Sequence, residues 1–217
     1  MANPEFLANP PPATTGRSDT EERILEAARK IFISKGFEGA KVRDIAAEAG
    51  VNLSLLNYYF QSKENIFEIV FKQAMETLLH QTPEVVAADM SLFDKIRRLV
   101  SLYIDTLIVN PMLPAFLHYE LAVNPARICL DETKRLEVDA MFQIFIDQVE
   151  LERSRGGLRN DVTAAEIYMD VVSMCVFPFV DKPIFQSIFQ IDDQKFQDLM
   201  LLRKQKIAEN IIRTIQR

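Results

Sequence analysis

Lys41–Phe67 reads KVRDIAAEAGVNLSLLNYYFQSKENIF, and the spacing of its apolar residues decides the fold. Val42, Ile45, Ala46 and Ala49 recur at helical intervals and so line one face of a short helix. Gly50 ends it, because glycine enters the left-handed conformation of helix C-termini without a Cβ penalty. Val51 plugs the turn, and Asn52 supplies a side-chain oxygen to cap a second helix expected over about Leu53–Tyr59. The small residues Ala46, Ala47 and Ala49 let the two helices approach closely. Two short helices joined this tightly make a helix-turn-helix, which lays its second helix in the major groove of DNA. A plain αα-hairpin has the same periodicity.

The ordered string V-R-D-I-A-A-E-A-G-V, followed by Y-Y-F and S-K-E-N-I-F, resembles the N-terminal domain of TetR-family transcriptional regulators over about residues 20–67. The resemblance implies an all-α homodimer. It would carry an N-terminal three-helix helix-turn-helix domain and a larger C-terminal helical domain for effector binding and dimerisation. The expected division is a disordered arm over 1–17, the DNA-binding domain over 18–65 and the effector domain over 66–217. The expected function is sequence-specific regulation of transcription. A repressor would be released from a pseudo-palindromic operator by a ligand. The competing reading is a helical architectural or adaptor protein with no effector.

Composition bounds the alternatives. Hydrophobic residues at 48% and charged residues at 26% belong to a globular chain, and 217 residues suffice for a sizeable core. Only 6 glycines argue for helices over sheets. A net charge of -6 runs against nucleic-acid binding, but local placement of Lys and Arg decides phosphate contact. Between Arg17 and Asn65, eight basic residues face eight acidic ones, so the acidic excess lies elsewhere. Cys129 and Cys175 stand far apart with no C-x-x-C pairing, which fits a reducing, cytoplasmic setting. The N-terminus lacks a basic, then apolar, leader, and the apolar run Val171–Val180 is interrupted by Ser173 and Pro178, so no membrane partner is expected.

Along the chain, prolines 4, 10, 11 and 12 mark the arm, through which Arg17 could reach a minor groove. Ser18 with Glu21 reads as a capping box opening the brace helix, which Gly36 ends. Ser62 caps a helix to about Gln81, where Thr82-Pro83 breaks it. Further helices are expected from Ser91 to Asn110, from Pro114 through Leu121, and over Lys134–Arg153 with the stripe Leu136, Met141, Ile144, Phe145, Gln148 and Val149. Thr163 with Glu166 is a second capping box opening a helix to about Val180, and Asp193 opens the last, to near Gln216. The helix after Thr163 is apolar nearly all round, so it needs burial on two sides. A homodimer interface through the helices near 163–181 and 193–216 would supply the second.

Lys41 and Arg43 begin the first motif helix and are expected on phosphates or a groove edge. Asn52, Leu53, Ser54, Asn57 and Tyr58 are the early or outward positions of the second. Asn57 has the amide that pairs bidentately with adenine, and Leu53 or Leu55 the methyls that touch thymine. Tyr59 matches the family's aromatic pair with Phe60 and is expected on a phosphate. Lys63 adds its charge to the positive end of the next helix. The partner is therefore a double-stranded DNA operator.

The second half mixes phenylalanines and methionines with isolated polar groups, the composition of a pocket for a small lipophilic effector. Tyr103, His118, Phe142, Phe145, Tyr168, Met174 and Phe177 are the expected lining, although core packing explains each equally well. No enzyme is expected. His80 and His118 are the only histidines, and neither has metal-ligand spacing. No H-E-x-x-H, G-x-S-x-G, P-loop or G-x-G-x-x-G occurs, so no cofactor or metal is expected either.

Overall fold

The computed structural model describes residues 18–127 and 132–217. The arm over 1–17, with Arg17, and Cys129 lie outside the described residues. Among these, the structure is helical, with one isolated antiparallel bridge between Leu158 and Gln216 and no β-strand. No single described helix is long and apolar enough to cross a membrane.

The chain forms two compact units. The first runs to Leu78 and also takes in Ala115–Arg127. It holds α1 (Asp19–Gly39), α2 (Val42–Ala49), α3 (Leu53–Phe60), α4 (Lys63–Leu79) and most of α7 (Leu113–Val123). Ser18 Oγ accepts the Glu21 N–H at 3.2 Å and so starts α1. Gly36, at φ 66 and ψ 177, breaks its helical geometry where the sequence places the stop, and the residues after it form one further turn. Ile24, Ala28 and Phe32 of α1 bury themselves with Ile45 of α2, Leu56 and Phe60 of α3, and Ile66 of α4. Phe67 on α4 is the centre of an aromatic cluster. Its ring meets Phe32 and Phe37 edge-on at 5.0 and 4.9 Å, and Phe71 and Phe116 at 5.8 and 6.0 Å. Phe116 belongs to α7, so that helix packs with the helix-turn-helix unit although it lies fifty residues downstream of the motif.

The second unit holds α5 (Thr82–Ala87), α6 (Leu92–Val109), α8 (Glu132–Ser154), α9 (Ala164–Val180), α10 (Lys182–Phe189) and α11 (Asp193–Ile215). Helix α6 is its centre, packed against α5, α8, α9 and α11. Ile96, Val100, Tyr103 and Ile104 of α6 meet Ile167, Val171 and Cys175 of α9 and Ile207 and Ile211 of α11, all buried. Thr163 and Glu166 form the full reciprocal capping box at α9.

Two helices were not expected. Both α5 and α10 carry a proline in their first two positions, Pro83 and Pro183, where its missing N–H costs no helical hydrogen bond. The Thr82-Pro83 break therefore also opens a helix. On α8 only part of the expected stripe is covered: Phe145 and Val149 are buried, whereas Leu136 and Ile144 are exposed. A stripe marks which residues share a face but not how much of that face a neighbour covers.

Candidate nucleic-acid interface and interior cavity

The helix-turn-helix is built by caps and one clamp. Gly50 takes φ 66 and ψ 34, which lets the Val51 N–H reach back to the Ala46 carbonyl at 3.0 Å. Asn52 Oδ1 accepts the Leu55 N–H at 2.8 Å and starts α3. Arg23 on α1 donates to the Ala49 carbonyl at 2.6 Å, tying the brace to the end of α2. With Leu56 and Phe60 turned inward, α3 presents Leu53, Ser54, Leu55, Asn57 and Tyr58 to the outside, Tyr58 at 80% exposure.

Charge balance in this unit is settled by pairing. Lys30 reaches Glu48 at 3.3 Å and Lys35 reaches Asp44 at 2.6 Å, so two lysines of α1 neutralise two carboxylates of α2. The Lys35 hydrogen bond holds the Asp44 carboxyl below its usual range, so it stays ionised and paired. Arg29 pairs with Glu26 along its own helix. Lys63 donates to the Phe37 and Ala40 carbonyls at 2.9 and 3.3 Å and lies 4.2 Å over the Phe37 ring. Among the described residues, that leaves Lys41 and Arg43 as the exposed cations of the motif region with neither ion pair nor hydrogen bond. Both stand at the start of α2.

Two expected DNA residues thus have a structural task. Lys63 holds the α1–α2 loop with two of its three protons, because that loop turns its carbonyls toward α4. Asn52 has its carbonyl oxygen engaged in the cap and only its amide NH₂ free. The Tyr59 hydroxyl accepts from Ser18 at 3.3 Å, and its ring stands edge-on to Tyr58 at 5.5 Å.

In the second unit, a gap of about 10 Å³ is lined by Thr82, Val86, Leu99, Phe142, Phe145 and Tyr168, together with Met141. A more open groove of about 250 Å³ is lined by Phe142, Ile146, Ala164, Ala165, Tyr168 and Met169. Of the expected pocket residues, Phe142, Phe145 and Tyr168 come together here. Tyr103 is buried beside Thr82 and Tyr168, its hydroxyl making no hydrogen bond of ordinary length and angle among the described residues. Three expectations do not fit. His118 is exposed on α7 and belongs to the first unit. Phe177, 54% exposed, packs against Phe185 of α10, and Met174 lines neither space, because both lie off the face that α9 turns toward α8. Thr82 was missed, since beside Pro83 it reads only as a break.

A three-helix fold with an outward α3, and with two exposed cations at the start of α2 that make neither ion pair nor hydrogen bond among the described residues, defines a helix-turn-helix DNA-binding protein. The comparisons carry this further. Residues 24–70 match the model described as bacterial regulatory proteins, tetR family, and residues 93–208 match the tetracyclin repressor-like C-terminal domain. The chain belongs to the TetR family of transcriptional regulators. It is 29% identical over 138 residues to the probable HTH-type transcriptional regulator YttP of Bacillus subtilis, covering 62% of this chain and 66% of that one. It is 24% identical over 174 residues to the HTH-type transcriptional repressor NicS of Pseudomonas putida, covering 80% and 82%. The crystal structure of Bacillus subtilis FadR in complex with stearoyl-CoA shares the fold at a TM-score of 0.59 and 16% identity, over 88% of this chain and 97% of that one.

Proposed function

We propose that this regulator binds a pseudo-palindromic operator as a homodimer, in the cytoplasm, and leaves it when a small lipophilic effector enters the second unit. The observation that carries the reading is the pairing of charges around the motif. Every other described cation between Ser18 and Asn65 is engaged within the protein, while Lys41 and Arg43 stay open at the start of α2. Lys41 and Arg43 would hold phosphates, with Tyr59 and the remaining proton of Lys63 in support. Leu53, Ser54, Asn57, Tyr58 and the Asn52 amide would face base edges.

Dimerisation through α9 and α11 is supported by what the single chain leaves uncovered. Helix α9 buries Ile167, Val171, Cys175 and Phe179 in its own unit, yet exposes Phe177. Helix α11 exposes Leu199 and Leu202. Two-fold pairing would cover these faces, and each α3 would enter one half-site of an operator whose half-sites lie about one helical turn or slightly more apart. FadR was solved with stearoyl-CoA, which supports a ligand in the second unit here. An effector releases DNA only if it binds the non-fitting form more tightly than the DNA-bound one.

The test is selection from randomised duplex DNA at two salt concentrations, with mass measured in solution. An enriched palindrome bound by dimers supports the proposal. Salt-dependent binding with no enriched sequence would favour an architectural role instead.

A further inference from the structure

The two openings of the second unit meet at one pair of rings. The inner gap, about 10 Å³, has room for a single water, and the outer groove has about 250 Å³. Phe142 and Tyr168 line both. They stand edge to face, centroids 5.0 Å apart and planes at 83°. The wall between gap and groove is therefore two side chains on different helices, α8 and α9, each able to turn about its own χ angles.

Behind that wall Thr82 lines the inner gap, and Tyr103, which lines neither opening, is buried beside Thr82 and Tyr168. Thr82 is 1% exposed and Tyr103 2% exposed, and among the described residues neither hydroxyl makes a hydrogen bond of ordinary length and angle, although the two lie close enough to each other and to the Tyr168 hydroxyl to interact weakly. Buried polar groups in packed cores are nearly always paired, so two orphans in one neighbourhood call for an explanation. Burial and then the neighbouring Tyr168 hydroxyl hold the Tyr103 phenol far above its usual range, while the weak hydrogen bond from Thr82 lowers it. The phenol thus keeps its proton and remains a donor at any physiological pH. Among the described residues, none lining either opening is charged. The nearby Lys95 ammonium is engaged with the Val86 carbonyl. A buried carboxylate would lose its hydration here with no free cation to replace it.

We propose that Phe142 and Tyr168 form a gate to a subsite where Thr82 and Tyr103 bind the single oxygen of an uncharged ligand, a small ring or short chain ending in a hydroxyl or carbonyl. The hydrocarbon part occupies the outer groove, whose volume of about 250 Å³ falls below the roughly 300 Å³ at which drug-sized ligand pockets begin and so suits a small ligand. This rests on the effector reading of the second unit and specifies its ligand class. The ligand oxygen accepts from the Tyr103 hydroxyl and exchanges a hydrogen bond with Thr82 Oγ1, satisfying both orphans at once.

The experiment titrates the full-length protein by calorimetry with 4-propylphenol, propylbenzene and 4-propylbenzoate, in wild type, Thr82→Val and Tyr103→Phe. Each variant removes one hydroxyl and keeps the shape of the side chain. Wild type is expected to bind the phenol at least about tenfold tighter than the other two probes. Each variant loses about tenfold for the phenol and leaves propylbenzene unchanged. Equal affinity for phenol and hydrocarbon, tightest binding of the benzoate, no binding of any probe, or a preference that survives both variants would each overturn the subsite. Should a variant fail to fold, the ranking of the three probes by wild type decides alone. Operator fragments from the selection are titrated in the same samples. DNA binding without a phenol preference removes the subsite and leaves the regulator standing; a phenol preference without DNA binding does the reverse.

Discussion

Glu120 Oε1 on α7 accepts the backbone N–H of Phe37 at 2.7 Å. The carboxylate is 1% exposed, and it closes the turn that follows Gly36. A Cβ on Gly36 would stand 3.4 Å from that same oxygen. The contact helps to explain why α7 packs with the first unit. Glu120→Ala should cost about 1–3 kcal/mol, since it takes the carboxylate acceptor from the half-buried Phe37 N–H and leaves a small void. Glu120→Gln keeps an acceptor and should cost roughly half as much. Urea unfolding followed by circular dichroism measures both, and an alanine variant as stable as wild type would remove the clamp from the account.

Arg43 has no ion-pair or hydrogen-bond partner among the described residues, so Arg43→Ala should leave stability unchanged and weaken binding to every DNA sequence alike. The slope of log affinity against log salt should become shallower by about 0.9, one phosphate contact. Fluorescence anisotropy on specific and scrambled duplexes, at several salt concentrations, reads both effects. Weakening confined to the specific duplex would place Arg43 on a base instead.

Asn57 is exposed in the middle of α3, one turn past its cap. Asn57→Ala should cost about 1–3 kcal/mol at particular base pairs and relax selection there, while non-specific affinity holds. Repeating the binding-site selection with the variant is the check. An unchanged sequence preference would reduce Asn57 to solvation of the helix face.

Gly50 sits at φ 66, with Arg23 Nη2 3.3 Å from where a Cβ would be. Gly50→Ala should destabilise by about 1–2 kcal/mol, because alanine resists left-handed geometry and the new methyl crowds the guanidinium that binds Ala49. Thermal unfolding tests this. A variant that melts with wild type would show that the turn relaxes freely.

Burial pushes the Cys175 thiol up to about 12, against 9.0 for an unburied cysteine. The folded protein should therefore resist iodoacetamide at pH 8, while the chain in denaturant alkylates at Cys175. The sign for stability follows from proton counts. Between those two values the folded state holds the proton that the unfolded state has released, so stability falls as pH rises. It is fully present below about pH 9 and declines above it by up to about 1.4 kcal/mol per pH unit. Cys175→Ala should flatten that decline in urea titrations at pH 8 to 10. An equal decline in both proteins would show that other groups cause it.

What the sequence determined by itself is the part of the structure that short-range chemistry controls. Gly50, Asn52, Ser91, Thr163 and Glu166 cap or stop helices where their own side chains and backbones dictate, within three or four residues of the groups they satisfy. The outward face of α3 was legible for the same reason, because a helical period assigns faces without reference to anything distant. Pro83 and Pro183 were ambiguous, since one residue both breaks a preceding helix and opens a following one. Tertiary structure alone decided the rest. Eight basic and eight acidic residues cancel on paper, and only the folded pairing of Arg23, Arg29, Lys30, Lys35 and Lys63 leaves Lys41 and Arg43 as the open cations among the described residues. Phe142, Tyr168, Thr82 and Tyr103 come from four helices, and no spacing rule relates them. Phe177 and His118 looked equally suitable by residue type and fell elsewhere. A pocket is set by which faces meet across the core, and that depends on long-range packing that local periodicity does not encode.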